Sequence, residues 1–329
     1  MQPLQARQAI PDADATGALA ALCKAGAEPL RLAVLRLLHQ DSFGVLELCH
    51  ILDCKQSGLS HHLKILATAG LVTHRREGNS LFYRRADTAQ HAWLEPLQQA
   101  LCTAATELPL DAATRARLLD IQQLRAQRSR QFFAEHAHTL KRQQERVASF
   151  ELYGPAAAEL LAESHPGGGT ALEVGPGDGG FLPILSQQFA RVIGLDNAPE
   201  MLARARETVA AQALGNVELL AGDTASTALP ADIDWAVLNM VLHHNPEPAA
   251  IFHDLSRLLR PGGQLLVTEL CRHDQGWTRE SCGDLWLGFQ PEDLSAWAEA
   301  ADFSEGKSIY LAQRNGFRVQ IRHFIKHRA

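Results

Sequence analysis

The chain has 329 residues, of which 46% are hydrophobic and 21% charged, with 24 Gly, 15 Pro and a formal net charge of −6. That composition excludes a disordered or collagen-like chain, and at roughly 150 residues per domain the length favours two domains. No apolar run reaches the ~18 residues of a membrane span, and Asp12 and Asp14 interrupt the first twenty residues where a secretory leader needs an apolar centre, so a cytoplasmic protein without a membrane partner is expected.

Charge is unevenly spread. Residues 1–110 carry 10 basic and 10 acidic side chains, 111–150 carry 8 and 4, and 151–329 carry 13 and 23. Lys55, Lys64, Arg75, Arg76, Arg84 and Arg85 face a single Glu77 within residues 55–85, a basic stripe suited to a polyanion. The six cysteines, Cys23, Cys49, Cys54, Cys102, Cys271 and Cys282, contain no CxxC pair and read as reduced thiols.

In chain order, Pro29 opens an apolar helix through Leu38, and Asp41 and Ser42 break it. VLELCHIL (45–52) forms a second short helix, and a third runs from about Lys55 to Ala69, stopped by Gly70 as a left-handed cap. In that third helix Leu59, His62, Leu63 and Leu66 share one face, and Ser57, Ser60, His61 and Lys64 share the other. Two alternating segments then flank Glu77-Gly78-Asn79, a hairpin turn with arginines on both sides, placed to grip phosphates beside a helix in the major groove.

PLRLAVLRLL, SGLSHHLKILATAGLV and RREGNSLFYR, in that order over roughly residues 20–90, resemble the ArsR/SmtB family of winged-helix repressors. The resemblance implies a homodimer that reads a two-fold operator in double-stranded DNA, with a helix from about Asp87 to Leu108 in the dimer interface. It puts Gln56, Ser57, Ser60 and His61 at base edges and Lys64, Arg75 and Arg76 on phosphates. The family's thiolate cluster would fall on Gly44, Leu46 and Cys49, and its histidine-rich site on a lone His91, so no metal site is expected here. A metal-responsive repressor using Cys49, Cys54 or the Cys271, His273, Cys282 group is the weakest of the alternatives.

Residues 88–150 read as helical, divided at Pro109. The expected organisation is a winged-helix DNA-binding domain over 1–108, a helical linker over 109–152 and a second domain over 153–329. From Thr170 strands and helices alternate strictly, which predicts an α/β fold with a doubly wound, mostly parallel sheet and ligands at the carboxyl ends of its strands. The first strand ends in Glu173-Val174-Gly175-Pro176-Gly177-Asp178-Gly179-Gly180, a turn whose glycines let backbone approach a ligand. Gly175, Gly177 and Gly180 also satisfy the dinucleotide GxGxxG, and Asp196 serves a ribose in either case.

Three features separate the alternatives. Glu173 lies two residues before the first glycine, where a carboxylate balances a ligand ammonium. Asp223 closes the third strand, in reach of an adenine amine. KSIYLAQR and FRVQIRHFIK flank Asn315-Gly316, a hairpin that makes the last pairing antiparallel. With RLLRPGGQLLV, these residues resemble the class I S-adenosylmethionine-dependent methyltransferases, a Rossmann-like fold with one antiparallel strand, over roughly 150–329. The resemblance implies Gly175, Gly177 and Gly179 around the methionine portion, Asp196 on ribose, Asp223 on adenine and Asn239 lining the site.

Methyl transfer is an in-line displacement that needs mainly positioning, so no catalytic residue is assigned, although His243 and His244 follow the fourth strand and offer a base. NPPY, a mark of base-amine methylation in nucleic acid, is absent, and arsenite methylation would need more cysteines than Cys271 and Cys282. The expected function is a DNA-binding regulator that senses S-adenosylmethionine or S-adenosylhomocysteine, methylates a small molecule, or does both. The alternative is a small-molecule methyltransferase that autoregulates its expression.

Overall fold

The computed structural model describes residues 15–328 apart from 40, 78–79, 87–88, 90, 165–166 and 227–228, and omits the side chains of residues 75, 77, 80 and 137–141. The chain falls into two compact units, Met1–Ile121 and Gln122–Ala329.

The first unit runs α1 (Ala15–Gly26), α2 (Pro29–Leu37), β1 (Phe43–Gly44), α3 (Val45–Leu52), α4 (Gln56–Thr68), β2 (Val72–Glu77), β3 (Ser80–Arg85) and α5 (Glu95–Thr106), and takes in the start of α6 (Ala112–Val147). Local chemistry sets these limits. Pro29 sits in the first turn of α2, where a missing N–H costs nothing, and the Glu28 carboxylate accepts from Arg31 N at 2.9 Å. Asp53 at φ 49° ends α3, and Gly70 at φ 71° ends α4 while Leu71 N donates to Leu66 O at 3.0 Å.

Leu59, Leu63 and Leu66 of α4 are fully buried against Val34, Leu35, Leu48 and Ile51. Each such side chain contributes about 1.5–3 kcal/mol by leaving water. The hairpin pairs Val72 with Arg85 through Glu77 with Ser80, and β1 adds a third strand by pairing Phe43 with Tyr83. That two-residue strand carries no periodicity and was not foreseen. The helix expected from Asp87 to Leu108 begins only at Glu95, after a 3₁₀ turn at Ala92–Leu94, because Pro96 fits the first turn and not an interior; Asp87 lies outside the described residues.

Arginines serve this unit in two ways. Arg31, 7% exposed, donates from Nε to Ala25 O at 2.7 Å and from Nη2 to Lys24 O at 2.8 Å, and its Nη1 lies 3.2 Å from His62 Nδ1, so it clamps α4 to the end of α1. Arg85, expected on the phosphate-gripping hairpin, instead turns inward and donates to Leu35 O at 2.7 Å and Thr106 Oγ1 at 3.0 Å. Strand position alone does not distinguish such an arginine from a solvent-facing one.

The second unit holds the rest of α6, then α7 (Phe150–Ser164), β4 (Thr170–Val174), α8 (Leu182–Gln188), β5 (Arg191–Asp196), α9 (Pro199–Ala211), β6 (Val217–Ala221), β7 (Ile233–Asn239), α10 (Pro248–Leu258), β8 (Leu259–Leu270), α11 (Trp277–Cys282), α12 (Pro291–Ala300), β9 (Phe303–Ala312) and β10 (Arg318–Lys326). The seven strands lie in the order β6-β5-β4-β7-β8-β10-β9. β4 to β8 pair in parallel and β10 pairs antiparallel with both neighbours, the single reversed strand that the Asn315-Gly316 hairpin predicts.

Both faces of this sheet are covered, as parallel pairing requires. Leu172, Ile193, Leu238 and Val267 pack on one face with Phe252, Leu255 and Leu294; Ala171, Val192, Val237 and Leu266 pack on the other with Leu160, Leu161 and Leu185. The strand order reverses between β4 and β5 on one side and β7 on the other, which opens a crevice at the carboxyl ends of β4 and β7.

Replacing Arg85 by Ala strands the Leu35 carbonyl and is expected to cost about 1–3 kcal/mol of stability. Lys64→Ala, at an exposed position, is expected to stay within about 0.5 kcal/mol. Urea unfolding of both variants checks the pair, and equal midpoints contradict the inward role of Arg85.

Candidate functional site

A cavity of about 460 Å³ occupies the crevice, and Glu173, Gly175, Gly177, Asp196, Asp223 and Asn239 are all on its wall. β4 delivers Glu173 from the centre of the sheet. The turn after it is held down where Gly175 N donates to Leu195 O at 2.8 Å. Gly175, Gly177 and Gly179 all have positive φ (64°, 60° and 80°), and a Cβ on Gly175 would lie 2.7 Å from Val241 Cγ2, so a side chain there is excluded twice over. Gly179 does not line the cavity. A Cβ there would press on Thr208 at 3.2 Å, so this glycine lets the turn close on α9.

Glu173 is the unusual member. It is 1% exposed; Asn239 Nδ2 donates to its Oε1 at 3.3 Å, and its Oε2 and the Asn239 Oδ1 have no hydrogen-bond partner. Burial raises its pKa to about 8, opposed by the Asn239 hydrogen bond and reinforced by the Asp178 charge. Asp196 ends β5, accepts from Ala198 N at 2.9 Å, and has its pKa raised to about 6 by burial against the pull of the Ala198 and Asn197 N–H groups. Asp223 is exposed and accepts from Ala225 N at 3.1 Å. Met240, immediately after Asn239, is held at φ 58°, a strained conformation of the kind concentrated at functional sites.

A glycine turn, two unpartnered polar atoms on one wall and carboxylates at the ends of β4 and β5 fit the amino acid and ribose ends of S-adenosylmethionine. Glu173 and Asn239 would meet the amino acid portion, Asp196 the ribose and Asp223 the base. Other wall residues were not legible in the sequence: Ser129 and Phe133 from α6, Tyr153 from α7, Cys282 at the end of α11 and Asp284 just after it. Tyr153 has its pKa raised by burial first and by the Glu173 charge next.

His243 also lines the cavity; its Nδ1 lies 2.5 Å from Glu269 Oε1, while Glu269 accepts from Leu270 N at 2.6 Å and His243 N at 3.2 Å. Burial would lower the His243 pKa, but the Glu269 and Asp284 carboxylates outweigh it and hold it at about 9. His244 has its pKa lowered well below the usual value by burial and by the neighbouring His243 charge. Cys271, His273 and Cys282 do not converge among the described residues; the trio of metal-capable groups that does is His243, His244 and Asp284. Cys49 and Cys54 are half-buried neighbours whose thiols have pKa values raised by burial.

On the first unit, Gln56, Ser57, Ser60, His61 and Lys64 all project from the exposed face of α4, and Arg76 is exposed on β2. The side chain of Arg75 lies outside the described set, as do Gly78 and Asn79 of the turn.

Residues 172–267 match the family described as a methyltransferase domain, and residues 27–75 the family described as a helix-turn-helix domain. An arsenite methyltransferase of Halobacterium salinarum is 33% identical over 107 residues, 31% of this chain and 27% of that protein. A phosphatidylethanolamine N-methyltransferase of Cereibacter sphaeroides is 37% identical over 111 residues, 33% of this chain and 54% of that one. The chain thus spans about a quarter to about half the length of these two relatives. A chain of the complex between the Haloferax volcanii Trm112 methyltransferase activator and a methyltransferase superposes with a TM-score of 0.50 at 16% identity, covering 61% of this chain and 98% of that one, a likeness of fold. The protein therefore joins a helix-turn-helix domain to a methyltransferase domain. No described helix is long and apolar enough to cross a membrane.

Because Glu173 keeps its proton to about pH 8 when folded and releases it near 4.5 when unfolded, the folded state binds more protons between those values and loses stability as pH rises through them. Glu173→Gln removes that titration. The thermal midpoint of the ligand-free wild type is expected to fall relative to Glu173→Gln from pH 5 to 8.5, and parallel profiles contradict the assignment.

Proposed function

We propose that the chain is a DNA-binding regulator of the ArsR type whose methyltransferase domain takes S-adenosylmethionine or S-adenosylhomocysteine, and that occupancy of the cavity changes operator affinity. The DNA-binding region falls within 1–108, a helical connection over 109–152 and the nucleoside domain over 153–329, and the protein acts as a cytoplasmic homodimer on double-stranded DNA. The observation that carries this reading is α6. In the first unit its Arg117 Nε donates to Ile51 O at 2.8 Å, at the end of the helix before α4. In the second, its Ser129 Oγ donates to His244 O at 3.1 Å, and Phe133 meets the His244 ring edge-on at 4.9 Å. One helix therefore bears on the helix-turn-helix and on the cavity wall.

Allostery of this kind requires the nucleoside to bind the DNA-competent and incompetent states with different affinity. Direct readout falls to Gln56, Ser57, Ser60 and His61, and phosphate contact to Lys64, Arg75 and Arg76. In the cofactor site Glu173 and Asn239 receive the amino acid group, Asp196 the ribose and Asp223 the adenine, with Gly175, Gly177 and Gly179 in the turn around the methionine portion.

A second reading, a small-molecule methyltransferase that regulates its own expression, is favoured by the buried His243–Glu269 pair on the cavity wall. Bound S-adenosylmethionine supplies an electrophilic methyl group. Glu269 orients the His243 ring, and Phe133 and Tyr153 line the cavity beside it. Both readings are compatible in one chain.

Fluorescence anisotropy on the protein's own promoter fragment tests the regulator. Saturating S-adenosylmethionine or S-adenosylhomocysteine is expected to shift the operator Kd at least fivefold, a coupling of about 1 kcal/mol; no shift with either nucleoside rejects sensing. Lys64→Ala is expected to weaken binding to all sequences and lower the salt slope by about one, whereas His61→Ala relaxes preference at one base position. Identical behaviour of the two variants contradicts the division of roles on α4.

A further inference from the structure

The second unit contains a group of polar side chains that nucleoside binding does not use. His243 and His244 end the short turn after β7, and Asp284 follows α11 some forty residues later. Each offers one ligand atom, and all of these atoms lie within 4.8 Å of one another. Asp284 Oδ1 is 3.8 Å from His243 Nε2 and 3.9 Å from His244 Nδ1. Asp284 is 3% exposed; the Thr278 side chain is its one hydrogen-bonding neighbour, no bond of normal geometry reaches either carboxylate oxygen, and the buried His244 Nε2 makes none. A buried carboxylate so poorly matched is costly unless a cation takes it up.

The surroundings of His243 are those of a metal-binding histidine. Its Nδ1 lies against the Glu269 carboxylate, and Glu269 is fixed by two backbone N–H groups, which leaves Nε2 turned to Asp284. An oxygen behind the non-ligating nitrogen sets the tautomer and raises ligand basicity. The His244 nitrogen that faces Asp284 is Nδ1, which also lies 3.3 Å from the Gly283 carbonyl.

We propose that His243, His244 and Asp284 bind one divalent transition-metal ion of the zinc type on the cavity wall, with Glu269 as the residue that positions His243. Two nitrogens and one oxygen suit borderline cations, zinc, cobalt or nickel, better than the all-oxygen preference of magnesium or calcium. Three protein ligands leave a tetrahedral ion one open position, and His243, His244 and Asp284 all line the cavity. Resting on the methyltransferase reading, that position takes the deprotonable oxygen, nitrogen or sulfur donor of the methyl acceptor. Zinc binding is measured without nucleoside or acceptor, so failure of the metal site and failure of that reading are distinguishable.

The test is titration of the reduced, metal-free full chain with Zn²⁺ alone, followed by calorimetry and metal analysis after dialysis. Wild type is expected to bind one equivalent that Asp284→Asn and His244→Gln bind at least tenfold more weakly, and Glu269→Gln to lose 10- to 100-fold. Equal stoichiometry and affinity in wild type and Asp284→Asn overturns the proposal. Zinc-edge X-ray absorption needs no substitution at the site: recorded with one equivalent of Zn²⁺ on the full chain carrying Cys49→Ser and Cys54→Ser, it is expected to show a nitrogen and oxygen shell with imidazole scattering. A sulfur-dominated shell, or no bound zinc, overturns it.

Discussion

A carboxylate buried at the tip of a central strand is the constraint around which the second unit is arranged. Glu173 is 1% exposed with one oxygen unmatched, so the free protein holds a group whose ionised form is disfavoured until a cation arrives. The glycine turn after it, tied down from Gly175 N to the β5 carbonyl, and the strained Met240 beside Asn239 line the same cavity. An unmatched carboxylate at position 173 costs local stability, and the two fully covered sheet faces supply it.

The first unit follows the opposite logic. The outer face of α4 is made of exposed polar side chains, among them His61 edge-on to His62, while the reverse face is locked by three fully buried leucines and by Arg31. Rigid placement of an exposed helix is what groove recognition needs. Helix α6 enters the packing of each unit separately, through Arg117 beside the end of α3 and through Ser129 and Phe133 on the cavity wall.

Much of this was readable in the sequence because it is written in local patterns. The leucine spacing in α4, Gly70 as its cap, the alternating strands and the Asn315-Gly316 hairpin each rest on residues close in the chain, and each appears where expected. The glycine turn and the carboxylates at the strand ends likewise lie within a few residues of the strands that position them. What escaped was made by distant pairing. The short strand at Phe43 exists only because Tyr83 lies opposite, and Arg85 looks like a phosphate ligand until Leu35 and Thr106 are brought to it. Glu269 and Asp284 carry no signal of their own; only the sheet and α11 bring them to His243. Positive φ marks Gly179 as a position that must be glycine, and only the fold brings Leu182 and Thr208 against it.

The central claim is that the turn after β4, with Glu173 and Asp196, forms a nucleoside site. Calorimetric titration of S-adenosylhomocysteine into the full chain and into Asp196→Ala tests it most directly. One nucleoside per chain in the wild type and at least a tenfold loss in the variant, about 1.4 kcal/mol, is the predicted result. No binding to the wild type, or equal affinity in both proteins, contradicts it.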